Sequence, residues 1–163
     1  MDIRKLSSKD WDKFRMIRLK GLQTDPQAFG GSFAEETKRQ EVEWKEQVEK
    51  SGRFFFAAEE NEKFVSVAGA KQVSEKVWML IAVYTLPENR GNGLARMLTE
   101  RIIQEVKACG ADKIQLMCNV NQKDAIGIYE KIGFQTLKTL KDEKMGDGQL
   151  HDEYLMEKDL TIV

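Results

Sequence analysis

The apolar positions change their period along the chain, from helical spacing to strand-like runs and back. Residues 2–6 can form a short strand, and Ser7 or Ser8 can then cap a helix whose apolar positions are Trp11, Phe14, Ile17 and Leu22. This helix is predicted to end at residues 24–26, because the residue before a proline disfavours the helical conformation. An irregular loop over residues 27–33 then leads to a charged helix from about Glu35 to Lys50, with a solvated face.

The middle of the chain has the composition of β-strands. Three runs rich in Phe and Val cover residues 53–59, 63–73 and 76–86, and short polar turns separate them. Such short turns imply antiparallel neighbours. The aromatic residues of these runs are expected in the core; they are Phe54, Phe55, Phe56 and Trp78.

The remaining residues alternate between helix and strand. An apolar stripe with helical spacing begins at Leu94, and Gly110 is placed to end that helix in the left-handed conformation. We predict a strand over residues 113–120 and a helix over residues 122–132, with Asn121 as a plausible N-cap and Gly133 at its C-terminal end. The last strands cover residues 134–140 and 149–160. This order predicts an α/β fold, with a mixed, largely antiparallel central sheet and helices on both faces, in a single domain over residues 1–163.

Composition narrows the classes of function. Charged residues make up 33% of the chain and the net charge is −1, which argues against broad nucleic-acid binding because that activity usually needs a basic face. Two cysteines and one histidine make both a disulfide framework and a metal site poor hypotheses. The N-terminus lacks an apolar signal core, and no apolar run reaches the roughly 18 residues of a membrane span. We therefore expect a cytoplasmic protein without membrane or nucleic-acid partners.

The segment Pro87–Arg96 carries the clearest chemical signal. It joins a predicted strand to a predicted helix, and Arg90, Gly93 and Ala95 form the pattern R-x-x-G-x-A. Glycines at such a junction allow close approach of a ligand, and the free N–H groups of the first helical turn favour an anion such as a phosphate. No Lys-Ser/Thr pair follows, so this is not a Walker loop. Gly91 and Gly93 can alternatively form no more than a strand-to-helix turn.

A second motif follows the first in a fixed order of elements. Ala125, Tyr129, Gly133 and Phe134 spell A-x-x-x-Y-x-x-x-G-F on the second predicted helix. Together the two motifs closely resemble the GNAT superfamily of acetyl-CoA-dependent N-acetyltransferases. The segments 25–30 and 151–156 are also similar to those of small bacterial members, so the resemblance covers nearly the whole chain.

The resemblance implies a binding site for acetyl-CoA, the acetyl donor. The N–H groups of the loop and helix start would hold the pyrophosphate, and Arg90 would add charge or brace the loop. Pantetheine would pair with the main chain of the preceding strand, where an N–H would also polarise the thioester carbonyl. Many members place Asn where this chain has Gln122, so either Gln122 or Asn121 meets the cofactor. The implied cofactor-binding residues are Val83, Tyr84, Thr85, Arg90, Gly91, Asn92, Gly93, Leu94, Ala95 and Asn121.

The resemblance also places Tyr129 in the position of the general acid, which returns a proton to the leaving sulfur. The amine would attack directly in a ternary complex. Tyr129 can alternatively be a core residue, since its helix has an apolar face. For Cys118, a small buried hydrophobe is a better interpretation than a nucleophile, because no histidine pairs with it in sequence.

The sequence gives fewer indications of which residues bind and deprotonate the amine acceptor. A carboxylate could deprotonate the ammonium through water, and the candidates are Glu35, Glu36 and Glu153; alternatively the amine arrives neutral and no dedicated base exists. Phe29 and Phe33 lie on a predicted loop, where they either line an acceptor pocket or anchor the loop.

These observations predict an N-acetyltransferase acting on a primary amine of a small molecule or peptide. One alternative is a non-catalytic acyl-CoA-binding or regulatory module of the same fold, and another is a nucleotide- or phosphate-binding domain that uses only the glycine loop. Homodimer formation through the terminal strands or the Phe-rich strand is common in the family that the chain resembles.

Overall fold

The computed structural model describes residues 1–162 and contains a seven-stranded sheet with the spatial order β1-β2-β3-β4-β5-β7-β6. Neighbouring strands are antiparallel except β4 and β5, which are parallel. The strands are β1 (Asp2–Lys5), β2 (Arg53–Glu60), β3 (Lys63–Ser74), β4 (Val77–Thr85), β5 (Lys113–Asn119), β6 (Gln135–Lys144) and β7 (Leu150–Asp159). The helices are α1 (Trp11–Thr24), α2 (Phe33–Glu36), α3 (Glu41–Glu49), α4 (Leu94–Ala108) and α5 (Lys123–Ile132).

Helices pack on both faces of the sheet, so the predicted fold class is confirmed. Successive side chains of a strand point to opposite faces, and β2 shows the consequence. Phe54 and Phe56 belong to the core under α4 and α5, whereas Phe55 and Ala57 belong to the core under α1 and α3. All three phenylalanines and Trp78 are buried, as the sequence predicts.

The predicted charged helix from Glu35 to Lys50 is wrong as a single element. It is two helices, α2 and α3, separated by a turn at residues 37–40 in which Gln40 is extended. The turn brings Arg39 beside the buried carboxylate of Glu36 and directs Trp44 of α3 into the core. Helical propensity alone is weak, so these tertiary contacts decide where the helices end.

The two predicted helix caps differ in outcome. Ser7 is the N-cap of a short 3₁₀ turn, Ser8–Asp10, that runs directly into α1, and Asp10 is the N-cap of α1 itself. The predicted cap at Asn121 is wrong. α5 has Gln122 as its N-cap rather than Asn121. The side-chain oxygen of Asn119 accepts a hydrogen bond from the Asn121 amide, and this turn delays the helix by one residue.

The feature that positions the site is a gap between β4 and β5. These parallel strands pair only from Val77 to Met79 and from Lys113 to Gln115, although both continue further. Ala82 has a φ of 57°, and the register of β4 against β3 shifts between Ile81 and Tyr84. A β-bulge of this kind bends its strand, and here β4 diverges from β5 beyond the paired residues.

Candidate functional site

A cavity of about 1450 Å³ occupies the gap between the two strands. Its walls are residues 79–85 of β4, residues 116–118 of β5, the start of α4 and residues 121–131 around α5. Beyond Met79, the edge of β4 that faces β5 has no strand partner among residues 1–162. The cavity therefore exposes main-chain hydrogen-bonding groups along one wall.

The glycine loop presents free amides at one end of this cavity. Gly91 and Gly93 have φ values of 83° and 77°, which other residues rarely adopt, and no atom lies within 4 Å of a β-carbon built on either. The first backbone bond of α4 runs from the Met97 amide to the Gly93 carbonyl, at 3.0 Å. The amides before Met97 thus lack a partner within the helix and are oriented to bind an anion.

The individual loop residues differ in their roles. Leu94 is buried and anchors α4, while Ala95 lines the cavity beside Gly93. Asn92 is not part of the cavity wall; its side-chain amide donates to the carbonyl of Asn89, at 3.2 Å, and stabilises the turn.

Arg90 braces the loop. Its Nε donates to the carbonyl oxygen of Thr85 at 3.0 Å, and its Nη2 forms a 2.8 Å ion pair with Asp25 at the end of α1. The guanidinium also lies over the ring of Tyr84. Arg90 still lines the cavity, so its charge contributes to the positive potential at the loop.

The predicted cofactor-contacting residues of β4 lie along the cavity, but their side chains have other partners. The Tyr84 hydroxyl is hydrogen-bonded to Thr24, and the Thr85 hydroxyl is hydrogen-bonded to Ser66, each at 2.7 Å. Val83 packs against the core under α4 and α5. At these three positions a ligand in the cavity can therefore bind main-chain groups rather than polar side chains.

Tyr129, Cys118 and Glu153 come together on the opposite wall. Tyr129 is buried on α5, where burial and the nearby Cys118 raise the pKa of its phenol. Burial, with a contribution from the charge of Glu153, raises the pKa of the Cys118 thiol to about 12. Cys118 therefore stays a neutral thiol, which agrees with its interpretation as a small buried residue.

Glu153 of β7 is a buried carboxyl group that lines the cavity. Burial and the charge of Glu143 raise its pKa, and His151 opposes this effect. A carboxylate with a raised pKa is a better proton acceptor than an exposed one, so the position of Glu153 suits proton transfer.

Asn121 and Gln122 both lie on the cavity wall at the start of α5. The side chain of Gln122 accepts a hydrogen bond from the Cys118 thiol, whereas Asn121 is exposed. Asn121 is the more accessible of the two.

The remaining predicted residues divide into two groups. Phe29 and Glu36 line the cavity, while Phe33 and Glu35 do not. Phe29 is buried against Tyr84, so it also anchors its loop. Both oxygens of Glu36 are held by Arg18, at 3.0 Å, which leaves this carboxylate ill-suited to accept a proton.

Sequence reasoning missed a set of basic residues on the wall near Glu36, namely Arg18, Arg39, Arg53 and Lys71. They lie on α1, in the turn after α2, on β2 and on β3. No local motif joins them, since only the packing of these elements brings the four side chains together. Arg53 and Lys71 are opposite each other in the register of β2 and β3. A correct alignment of these two strands would have revealed this pair, but neither Arg18 nor Arg39.

Within residues 1–162, no group of three or more His, Cys, Asp or Glu side chains is arranged to hold a metal ion. In the same part of the chain, no helix combines the length and apolar character needed to cross a membrane.

Comparisons with known proteins give consistent results. The sequence is 30% identical over 96 residues to human N-acetyltransferase 8B, covering 56% of this chain and 42% of that protein. It is 33% identical over 91 residues to N-alpha-acetyltransferase 30 of Schizosaccharomyces pombe, covering 53% of this chain and 61% of that protein. The matches thus span about half the length of these curated relatives.

Solved structures share the fold across nearly the whole chain. The structure of yncA from Salmonella typhimurium with its cofactor acetyl-CoA superposes with a TM-score of 0.82 at 20% identity, covering 98% of this chain and 94% of that one. A ribosomal-protein-alanine N-acetyltransferase from Brucella melitensis gives 0.82 at 20% identity, with 98% and 99% covered. The sequence model of the acetyltransferase (GNAT) family matches residues 16–134, which is most of the chain. The protein therefore belongs to the GNAT acetyltransferase family, as the two sequence motifs predict.

Proposed function

We propose that the protein transfers the acetyl group of acetyl-CoA to a primary amine of a small molecule or peptide, by direct attack in a ternary complex. One observation carries the proposal: a single cavity joins the free amides before Met97 to the unpaired edge of β4. The first feature suits a pyrophosphate and the second suits an amide-bearing chain, and CoA contains both groups in series.

The residues fit acetyl-CoA in the following way. The amides of Gly91, Gly93, Leu94 and Ala95 bind the pyrophosphate, while Arg90 and Asn92 hold the loop in shape. The main chain of residues 83–85 binds the pantetheine arm, and Asn121 contacts it from the other wall. Acetyl-CoA supplies the thioester carbonyl that the amine attacks.

Tyr129 serves as the proton donor in this proposal. A new N–C bond forms as the C–S bond breaks, and the Tyr129 hydroxyl gives its proton to the departing sulfur. The nitrogen releases its surplus proton to solvent, and solvent returns a proton to the Tyr129 oxygen. The raised pKa keeps the phenol protonated at neutral pH, so the proton is present when it is needed.

Glu153 is the proposed proton acceptor. Among the three predicted carboxylates, Glu36 is paired with arginines and Glu35 lies off the cavity wall, whereas Glu153 is buried on that wall with a raised pKa. The ammonium of the acceptor loses a proton to Glu153, directly or through one water. The names of the protein's relatives, which include N-acetyltransferase 8B and N-alpha-acetyltransferase 30, support amine acetylation as the reaction class.

Calorimetric titration tests the donor, and a thiol assay tests the reaction. Acetyl-CoA, CoA and ATP are titrated into the purified protein, and release of free CoA is followed with a panel of primary amines. We expect acetyl-CoA to bind more tightly than ATP, and at least one amine to release CoA and yield an N-acetyl product by mass spectrometry.

The other outcomes favour other functions. Tight acetyl-CoA binding without turnover of any amine indicates a non-catalytic acyl-CoA-binding module. ATP binding as tight as acetyl-CoA binding indicates a different phosphate ligand. Acetylation of hydroxyl or thiol acceptors alone contradicts transfer to nitrogen.

A further inference from the structure

The wall of the cavity is much more basic than the chain. Nine basic and five acidic side chains line it, although the net charge of the whole protein is −1. Two of the basic residues, Arg90 and Arg96, lie at the glycine loop and the start of α4, where they suit the phosphates of CoA. A second group lies away from that loop, at the end of the cavity formed by α1, α3 and the first residues of β2. We call it the basic cluster, and its members are Arg18, Arg39, Arg53 and Lys71.

The carboxylate of Glu36 neutralises only part of the basic cluster. It accepts two hydrogen bonds from Arg18, both at 3.0 Å, and a third from Arg39 at 3.2 Å. Gly31 makes room for this carboxylate, since a β-carbon at that position would overlap Oε2 of Glu36. Both oxygens of Glu36 thus bond to Arg18 or Arg39, and neither forms a hydrogen bond with Arg53.

Arg53 is left with an unused donor. Its Nη1 donates to the side-chain oxygen of Gln47, while its Nε is buried and has no hydrogen-bond partner among residues 1–162. No carboxylate in this part of the chain forms an ion pair with it. Burial and the charges of Arg39 and Arg18 lower the pKa of Arg53, which is the expected response of a guanidinium without a counter-ion. The Arg53 side chain lines the cavity without a counter-ion and beside two like charges, so an anion bound there would stabilise its charge.

The basic cluster lies on the acceptor side of the bulge. In the sheet, Arg53 is opposite Lys71, and Lys71 is opposite Met79 of β4. Met79 precedes the bulged residue Ala82 by three positions, or roughly 10 Å of extended strand. The carboxyl groups of Glu143 and Glu153 line another part of the cavity, near enough for the charge of Glu143 to raise the pKa of Glu153. Two acidic side chains and the basic cluster thus border the same cavity.

We propose that the acceptor is a small primary amine that also carries a carboxylate, and that Arg53, supported by Arg18 and Arg39, binds this carboxylate at the basic cluster. The inference rests on the proposed acetyl transfer and specifies its substrate class. It implies that polycationic amines are poor acceptors, because the basic cluster repels a second positive charge.

Matched pairs of amines test the proposal. Glycine, γ-aminobutyrate, ε-aminocaproate and glutamate are each compared with the corresponding primary amide, by release of free CoA and by detection of the N-acetyl product. We expect at least one acid to exceed its amide about tenfold or more in kcat/KM, since charge-assisted hydrogen bonds contribute effects of this size.

Three variants assign the preference to Arg53. Arg53→Gln should lower the ratio of acid to amide about tenfold or more, and Arg53→Lys should retain part of it because the charge remains. Arg15→Gln is the control: Arg15 lies on α1 one turn before Arg18, does not line the cavity and should leave the ratio unchanged.

The outcomes separate this inference from the proposed function. If amides or simple amines are acetylated as well as the acids, or if Arg53→Gln leaves the ratio unchanged, acetyl transfer stands and the acid-bearing acceptor is refuted. If acetyl-CoA binds and no amine of any kind is acetylated, the proposed function fails. In that case, titration of glutarate into the CoA-loaded protein and its Arg53→Gln variant decides whether the basic cluster binds a carboxylate.

Discussion

Burial controls the chemistry of individual side chains around the cavity. Tyr129, Cys118 and Glu153 are all buried, and in each the loss of water raises the pKa, which favours the neutral form. For Tyr129 and Cys118 this maintains the protonated state at neutral pH. For Glu153 the same loss of water moves the pKa of the carboxyl group towards neutral pH, where the group can accept and release a proton.

Tyr129→Phe should lower kcat by about 100-fold while leaving the Kd for acetyl-CoA within about twofold, because it removes the hydroxyl group that donates the proton and hardly changes the shape of the side chain. Steady-state kinetics and calorimetry measure the two effects. Tyr154→Phe is the matched control, since Tyr154 is half-buried and lies outside the cavity wall. Unchanged turnover in Tyr129→Phe would assign the residue to the core alone.

The pH dependence of kcat should depend on Glu153. Its carboxyl group must lose its proton before it can accept one, so kcat rises with pH through a pKa above the ordinary value of 4.5. Glu153→Gln should abolish this rise of kcat with pH, the acidic limb of the profile, and lower kcat by about 100-fold at neutral pH. A profile that keeps the limb in Glu153→Gln would show that the amine arrives already neutral.

Glu143→Gln provides the internal control for that profile. The charge of Glu143 helps to raise the pKa of Glu153, so removing it should move the limb to lower pH without abolishing it. A limb that does not move would assign the titration to another group.

At the scale of elements, α4 shows how a helix terminus becomes a binding site. Gly93 before its first turn and Gly110 after its last both have positive φ, at 77° and 85°, and neither has an atom within 4 Å of a built β-carbon. The two glycines therefore meet the same conformational requirement. Only Gly93 borders the cavity.

Gly93→Ala and Gly110→Ala should consequently destabilise the protein by similar amounts, about 1–2 kcal/mol in the free energy of unfolding, because each forces a side chain into the left-handed region. Only Gly93→Ala should weaken acetyl-CoA binding, by about tenfold or more. Denaturant unfolding and calorimetry measure these effects. Equal losses of affinity in both variants would contradict a ligand site at the start of α4.

The elements also show which parts of the fold the sequence determines. The hydrophobic period and the turn residues predicted the order of strands and helices along the chain, apart from the division between α2 and α3. Gly110 has the predicted left-handed conformation, and Gly133 ends α5 as predicted. The turn at residues 37–40 and the bulge at Ala82 depend on tertiary packing, so periodicity did not reveal them. In the candidate site, motifs suggested the glycine loop and Tyr129, whereas Arg53 and its neighbours gave no local pattern.

At the scale of the whole molecule, distant segments meet around the acceptor end of the cavity. The amide of Gly146, in the turn between β6 and β7, donates to the carbonyl oxygen of Phe29 at 2.6 Å. A β-carbon on Gly146 would overlap the carbonyl oxygen of Gly31. This contact fixes the loop that carries Phe29 against the last hairpin.

The single domain, the cytoplasmic location and the homodimer stay predictions from the sequence.

Gly146→Ala should separate that hairpin from the loop. We expect a loss of about 1–3 kcal/mol in the free energy of unfolding, as for other overpacked sites, together with a higher KM for the amine. Gly30→Ala is the control, because no atom lies within 4 Å of its built β-carbon, and its effect should stay within about 0.5 kcal/mol. Wild-type KM in Gly146→Ala would show that the loop and hairpin position the acceptor independently.

The divergence of β4 from β5 has a consequence for backbone dynamics. Only three residue pairs connect the strands β1–β4 to the strands β5–β7 within the sheet, and past Met79 the inner edges have no protein partner among residues 1–162. Amide hydrogens on those edges should exchange rapidly with deuterated solvent in the free protein, while amides between β2 and β3 exchange slowly. When pantetheine takes the position of a missing strand, the same edge amides should become protected, so the donor completes the sheet that later holds it in place for reaction.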